Sequence, residues 1–265
     1  MSVAPPPSGP PLLEREAEIA TIRALVDAAA HGTGRMLVIE GRAGMGKTRL
    51  VAEARSAGAG AGFKVLFARS AELEQDFAFC VVRQLFEPLL ASASGNERTD
   101  LMSGPAAVAE RLFDDGEPDP ESGGADMSFA MLNGLYWVAA NVAQRRPLMI
   151  VVDDLHWSDV PTLHWLTYLG RRLEDLPILV VAGLRPPEQT TRPEVLAEVV
   201  ELDRRLQPDD VGTAKHRVHV HRQLRVETGQ GADARTLTRP KTSSSRRSTR
   251  RAAAFRCSCR PALAG

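Results

Sequence analysis

An eight-residue run in the first fifth of the chain has the residue types and spacing of a phosphate-binding loop. It matches G-x-x-x-x-G-K-[ST] at every position, with the residues Gly41, Arg42, Ala43, Gly44, Met45, Gly46, Lys47 and Thr48. Glycines let backbone N–H groups approach phosphate oxygens, and the N-terminus of a following helix adds partial positive charge. The pattern predicts that Lys47 binds the β- and γ-phosphates and that the Thr48 hydroxyl binds Mg²⁺. The alternative is a chance glycine-rich turn, which the strand and helix patterns on either side disfavour.

Two adjacent aspartates, Asp153 and Asp154, follow the apolar run Leu148–Val152. A buried strand would bring both carboxylates to the edge of the sheet where phosphates bind. We expect Asp153 to hold Mg²⁺ through water, because Mg²⁺ keeps several of its waters. Asp154 is the candidate that orients or deprotonates an attacking water. In the alternative interpretation, the two acids only cap the next turn.

Arg185 directly follows the last predicted strand, where a guanidinium could contact the γ-phosphate. An exposed arginine at the start of a loop is an equally good interpretation. His156, Asp159 and His164 match no dedicated zinc spacing, and we expect His156 to make a structural hydrogen bond.

Other residues of interest have structural interpretations. Trp157 and Trp165 are expected to be core or interface aromatics. Cys257 and Cys259 lack a second pair of ligands and are not interpreted as a zinc site.

Apolar runs of strand length alternate with helical patterns in the first 205 residues. The predicted strands are Met36–Glu40, Lys64–Ala68, Leu148–Val152 and Pro177–Leu184. The predicted helices are Leu12–Ala30, Lys47–Arg55, Phe77–Leu90, Ala106–Phe113, one capped by Ser128 and stopped by Pro147, and one from Asp159 to Leu173. This order predicts an α/β fold, a P-loop three-layer sandwich with a mainly parallel sheet.

Charge is unevenly distributed, although the net charge is zero. Residues 1–205 hold 20 Lys and Arg against 29 Asp and Glu, whereas residues 206–265 hold 13 against 4. We expect residues 1–11 to be disordered, residues 12–205 to form the domain, and residues 92–126 to be a mobile acidic excursion. Residues 206–265 are expected to be a disordered basic tail that offers only Arg217–Val226 as a poor substitute for a missing fifth strand.

Composition also limits the cellular setting. No apolar run reaches the ~18 residues of a membrane span, and the Pro-rich start has no basic or apolar region typical of a signal peptide. Three cysteines cannot form a disulfide framework. The sequence therefore predicts a cytoplasmic protein that does not bind membranes.

Five segments together resemble one family, the ATPase domain of large ATP-binding LuxR-type bacterial transcriptional regulators. These regulators belong to the STAND group of P-loop NTPases, close to the AAA ATPases, and the resemblance covers about residues 12–203. It is carried by Leu12–Glu18, Gly41–Thr48, Asp76–Pro88, Val151–Asp159 and Ala182–Pro186.

The resemblance implies roles for particular residues. It implies that Lys47, Thr48, Asp153, Asp154 and Arg185 serve the phosphates, Mg²⁺, catalysis and sensing, and that Glu14 and Arg15 lie near the adenine. Members of the family act as switches, in which ATP binding and slow hydrolysis act on a winged-helix arm, a helical-repeat sensor and a helix-turn-helix. None of these later modules is recognisable in this sequence.

Three hypotheses for the function follow. The first is an ATP-binding switch domain that requires Mg²⁺, with slow ATP hydrolysis and self-association left open. The second is non-specific nucleic-acid binding by the basic tail, with Arg246, Arg247, Arg250 and Arg251 on phosphates. The third is a truncated remnant. The abrupt change in composition after Arg205 is also what a shifted reading frame would produce, with a natural basic tail as the rival explanation.

Overall fold

The computed structural model describes residues 15–114, 125–186, 190, 193–206 and 218–219. The strands are β1 (Arg35–Glu40), β2 (Lys64–Arg69), β3 (Leu148–Asp153), β4 (Ile178–Leu184) and the two-residue β5 (Val218–His219). The helices are α1 (Glu16–Ala30), α2 (Lys47–Gly60), α3 (Cys80–Ser92), α4 (Gly95–Leu101), α5 (Glu110–Phe113), α6 (Ala125–Arg145), α7 (Val160–Gly170) and α8 (Pro193–Arg205).

All described strand pairs are parallel, and the order across the sheet is β2-β3-β4-β1-β5. The carboxyl ends of β1 to β4 therefore lie at one edge, where the phosphate-loop motif follows β1, Asp153 ends β3 and Arg185 follows β4. β4 separates β1 from β3, which places the P-loop strand and the aspartate strand two positions apart.

Helices cover both faces of the sheet, because the strands carry apolar side chains on both sides. One face, with Leu37, Ile39, Met149 and Val181, packs against α1 and α2. The other face, with Met36, Val38, Ile150 and Val180, packs against helices that include α3, α6, α7 and α8. The predicted three-layer α/β sandwich is confirmed.

Several helix boundaries differ from the sequence prediction. α2 continues through Gly58 to Gly60, because Gly58 lets the helix approach β3: a Cβ there would lie 2.3 Å from the Met149 Cε atom. α3 begins at Cys80 after Phe79, whose φ of 58° is left-handed. α6 begins at Ala125, so Ser128 lies inside the helix and is not its cap. α8 was not predicted.

Residues 95–113 lie within the predicted mobile excursion but form helical structure, and the short helix predicted at Ala106–Phe113 is present in part as α5. This segment forms α4, a 3₁₀ helix (Gly104–Ala109) and α5. Its apolar residues Leu101, Met102, Ala106, Ala109 and Leu112 are buried, and Asn141 of α6 donates a hydrogen bond to the Leu101 carbonyl at 3.0 Å. The many acids obscured a sparse apolar pattern that is sufficient for packing. Residues 115–124 lie outside the described residues.

Among the described residues, the fifth strand consists of the two-residue β5, which lies within Arg217–Val226, the segment predicted as a poor substitute for it. Val218 and His219 pair with Ile39 and Glu40 as β5, within the predicted basic tail. Nearer the start of β1, the Val38 N–H donates to the buried Asp203 side chain of α8 at 3.1 Å. A short strand and one side chain thus supply partners on this side to the second half of β1. The other predictions for the tail, and those for residues 1–11, Glu14, Cys257 and Cys259, fall outside the described residues.

Candidate functional site

The phosphate-loop motif connects β1 to α2 at the carboxyl edge of the sheet. The Gly41 N–H donates to the Leu184 carbonyl of β4 at 3.2 Å, which ties the start of the loop to the sheet. Gly44 and Gly46 have φ values of 75° and 86°, a left-handed conformation that side chains disfavour. α2 follows Gly46 without a side-chain cap, so its N-terminus faces the loop with positive partial charge.

Lys47, the first residue of α2, is almost fully buried beneath the exposed loop. Its Nζ atom donates to the Arg42 carbonyl at 3.1 Å. Burial lowers the pKa of Lys47, while Asp154 and Asp153 oppose that shift and Arg185 adds to it. These four predicted site residues therefore lie within electrostatic reach of one another. Thr48, the next residue, has an exposed side chain.

Asp153 ends β3 with a side chain that has 0% exposure. Its Oδ2 atom lies 2.9 Å from the Arg69 Nη2 atom, and its Oδ1 atom accepts the Asp154 N–H at 3.1 Å. Gly183 of β4 leaves room for this carboxylate, because a Cβ there would lie 2.9 Å from Oδ1. Arg69 is a residue that sequence reasoning missed, and its position at the end of a strand is the only sequence signal.

Asp154 occupies a left-handed turn, with φ of 57° and ψ of 39°. The turn leaves its side chain half-buried beside Asp153. Burial raises the pKa of Asp154, the Asp153 charge raises it further, and Lys47, Arg69 and Arg185 oppose the shift. A carboxylate with a raised pKa is a better proton acceptor than an ordinary aspartate, which suits a general base.

Arg185 follows β4 and is half-buried. Its guanidinium carbon lies 5.7 Å from the centroid of the Trp157 ring, within the range of a cation–π contact. The side chain is thus packed near the site. Its predicted contact with the γ-phosphate stays a prediction.

His156 is buried in a 3₁₀ turn (Leu155–Trp157) after the two aspartates. Its ring packs 4.9 Å from that of Trp157, and neither ring nitrogen has a hydrogen-bond partner among the described residues. The predicted structural hydrogen bond is therefore wrong within the part of the chain that the structure describes. Burial lowers the pKa of His156 to about 4, helped by the charges of Arg185 and Lys47.

Asp159 and Trp165 have structural positions. Asp159 caps α7 through the Thr162 N–H at 2.8 Å and also accepts the Phe79 N–H at 2.8 Å, so it joins α7 to the start of α3. Trp165 is fully buried, with its ring centroid 5.7 Å from that of Phe86. The described residues contain no group of three His, Cys, Asp or Glu side chains that could hold a metal ion by themselves.

This strand-loop-helix with an acidic strand end defines a P-loop nucleotide-binding domain. Residues 11–181 match the model of the AAA ATPase domain, and the chain belongs to that family. It is also similar to an uncharacterised protein of Rhizobium meliloti (strain 1021), with 28% identity over 204 residues. The match covers 67% of this chain and 19% of that protein, so the chain spans about a fifth of the relative's length. None of the described helices has both the length and the apolar character required to cross a membrane.

Proposed function

We propose that the chain is an ATP-binding switch domain that uses Mg²⁺ and hydrolyses ATP slowly. The observation that carries this proposal is that Lys47, Asp153, Asp154 and Arg185 all come at the carboxyl ends of parallel strands, at one edge of the sheet. Two cations and two carboxylates around a glycine loop are the groups that nucleotide phosphates and a divalent cation require.

The residues present fit ATP and Mg²⁺. The exposed loop and the uncapped start of α2 can direct backbone N–H groups at phosphate oxygens. Lys47, which donates to the Arg42 carbonyl, is positioned to exchange that acceptor for the β- and γ-phosphates. Thr48 and Asp153 supply the oxygen ligands that Mg²⁺ prefers. When bound, Mg²⁺ would neutralise negative charge on the phosphates.

Asp154 and Arg185 are proposed to serve hydrolysis. The raised pKa of Asp154 supports a role in accepting a proton from the attacking water. Arg185, held near the Trp157 ring, is proposed to contact the γ-phosphate and so to report its presence.

We further propose that this domain belongs to a LuxR-type regulator of the STAND group. The resemblance of the five segments in the sequence supports the proposal. Translating the other reading frames of the gene after codon 200 provides a test. A continuation with apolar periodicity into a winged helix and helical repeats would support both the regulator and a frameshift, whereas no such continuation, together with protease resistance of residues 206–265, would overturn the frameshift.

The decisive experiment is nucleotide binding by the purified protein. Saturating ATP with Mg²⁺, at about 100 times Kd, should stabilise the fold by roughly 2.7 kcal/mol, measured as a shift in Tm. Lys47→Ala should abolish the shift because it removes the cation for the β- and γ-phosphates. Lys64→Ala, at the start of β2, is the matched control and should keep the shift. A normal shift in Lys47→Ala would overturn the P-loop assignment.

A further inference from the structure

Arg69, at the end of β2, is a cation of the site to which the proposed function gives no role. Its guanidinium lies 2.9 Å from the Asp153 carboxylate, and the parallel register places the two residues side by side. The partners differ sharply in burial, because the Arg69 side chain is 55% exposed and that of Asp153 is 0% exposed. The carboxylate is therefore held in place, whereas the guanidinium has open solvent into which it can move.

Asp153 requires a positive partner in the absence of a metal ion. A fully buried carboxylate is costly without a cation and hydrogen bonds. Its Oδ1 atom accepts a backbone N–H from Asp154, and its Oδ2 atom is bonded to Arg69, so both oxygens are engaged. Arg69 is the cation bonded to Asp153 in this arrangement, with Lys47 and Arg55 also within electrostatic reach, and a divalent cation would need the same carboxylate.

We propose that Arg69 is a positioning residue that occupies Asp153 in the metal-free protein and is displaced by the Mg²⁺ that arrives with ATP. The two cations compete because they share one acceptor and repel each other. The inference rests on the proposed function. In the metal-free protein, the ion pair fixes the position of the Asp153 carboxylate. Because Mg²⁺ must displace Arg69, the ion pair also reduces the gain in ATP affinity that Mg²⁺ provides.

The test compares ATP affinity with Mg²⁺ and in EDTA, and uses the ratio of the two Kd values as the readout. In Arg69→Gln the ratio should increase about fivefold, because an ion pair with one exposed partner is worth up to ~1 kcal/mol. Arg69→Lys keeps the positive charge, and its ratio should stay within about twofold of the parent. Arg83→Gln removes an ion pair with Glu87 on the surface of α3 and should leave the ratio unchanged.

Thermal unfolding gives an independent readout. In EDTA, Arg69→Gln should lower Tm by roughly 2–4 °C, and Mg²⁺ with ATP should restore most of that loss. If Arg69→Gln lowers Tm equally in EDTA and with Mg²⁺ and ATP, the ion pair is purely structural, and that result would overturn the inference. An unchanged or smaller Kd ratio in Arg69→Gln would also overturn it.

The remaining outcomes separate this inference from the proposed function. If the parent binds ATP and Mg²⁺ strengthens binding, an unchanged or smaller Kd ratio in Arg69→Gln overturns the inference alone. If the parent binds ATP equally with and without Mg²⁺, the metal role of Asp153 and the inference both fail. No ATP binding by the parent overturns the proposed function as well. If Arg69→Gln does not fold, Arg69→Met replaces it, and failure of both to fold even with Mg²⁺ and ATP overturns displacement.

Discussion

The P-loop and the acidic end of β3 lie at the same edge of the sheet but differ in what holds them. In the loop, Arg42, Ala43, Gly44 and Gly46 are exposed, and left-handed glycines determine the shape. At the end of β3, the Asp153 carboxylate is fully buried and bonded to Arg69 and to the backbone. Backbone conformation therefore determines the shape of the loop, whereas ionic and hydrogen-bond contacts determine the position of Asp153 at the end of β3.

This difference determines what a substitution in each region would reveal. A change in the loop acts on phosphate binding with little effect on the core, because the loop is exposed. A change near Asp153 acts on a buried charge, so its effects depend on metal ions and pH.

The largest expected effect is on hydrolysis. Asp154→Asn keeps the shape of the side chain but removes the base, so kcat for ATP hydrolysis should fall by ~10²–10⁴-fold while ATP affinity is retained. Because the pKa of Asp154 is raised, kcat in the parent should decline on acidification at a higher pH than for an ordinary aspartate. Hydrolysis at the parent rate in Asp154→Asn would show that Asp154 is structural.

The next effect is on stability in acid. The pKa of His156 is about 4 in the folded chain against an ordinary value of 6.5, so the unfolded chain binds a proton first as pH falls. Stability from this group is complete above pH 6.5 and is lost as pH falls towards 4, by roughly 2–3 kcal/mol at pH 4.5.

His156→Leu should therefore reduce the loss of Tm between pH 7 and pH 4.5. His164→Leu, at an exposed position of α7, is the matched control. Equal pH dependence in the parent and in His156→Leu would contradict the lowered pKa of this buried ring.

A smaller effect should come from crowding the carboxylate. Gly183→Ala places a methyl group 2.9 Å from the Asp153 Oδ1 atom and 3.4 Å from the Val51 Cγ2 atom. The folded state should lose on the order of 1 kcal/mol, and the gain in ATP affinity from Mg²⁺ should fall, because the carboxylate must shift. Binding in EDTA, which depends on the loop, should change little.

Gly60→Ala is the control for this substitution. Among the described residues, no atom outside the adjoining backbone of α2 lies within 4 Å of a Cβ at Gly60, so both stability and the effect of Mg²⁺ should be retained. If Gly183→Ala and Gly60→Ala behave alike, the fit of Asp153 against β4 has no bearing on the metal.

The smallest effect is expected for the C-terminal region. Removal of residues 220–265 keeps β5 and should leave the ATP-dependent shift in Tm unchanged, because the proposed site lies within residues 41–185. Any DNA affinity lost with these residues should be independent of sequence and should fall steeply with salt. Removal of residues 207–265 also deletes β5 and should lower Tm slightly while ATP binding is retained. Loss of ATP binding in the shorter deletion would contradict the prediction.

The sequence alone determined the parts of this protein that depend on local pattern. The glycine loop, its strand and its helix are contiguous, so motif and periodicity identify them together. The continuous apolar runs of β1 to β4 indicated a parallel sheet covered on both faces, as observed. α8 also has a helical pattern, with Pro193 at its start and buried Leu196, Val199 and Val200. Its periodicity therefore allowed a prediction, although α8 was not predicted.

Only the tertiary structure decided the contacts between distant segments. Arg69 and Asp153 are 84 residues apart, and Val38 and Asp203 are 165 apart, so no local pattern pairs them. The order of the strands makes β2 the neighbour of β3 and leaves β1 beside β5. The packing of residues 95–113 likewise depends on a surface that α6 supplies. The order of the strands therefore determines which cation contacts the buried Asp153 carboxylate. Burial and neighbouring groups, and not residue type alone, determine the free energy of a charge.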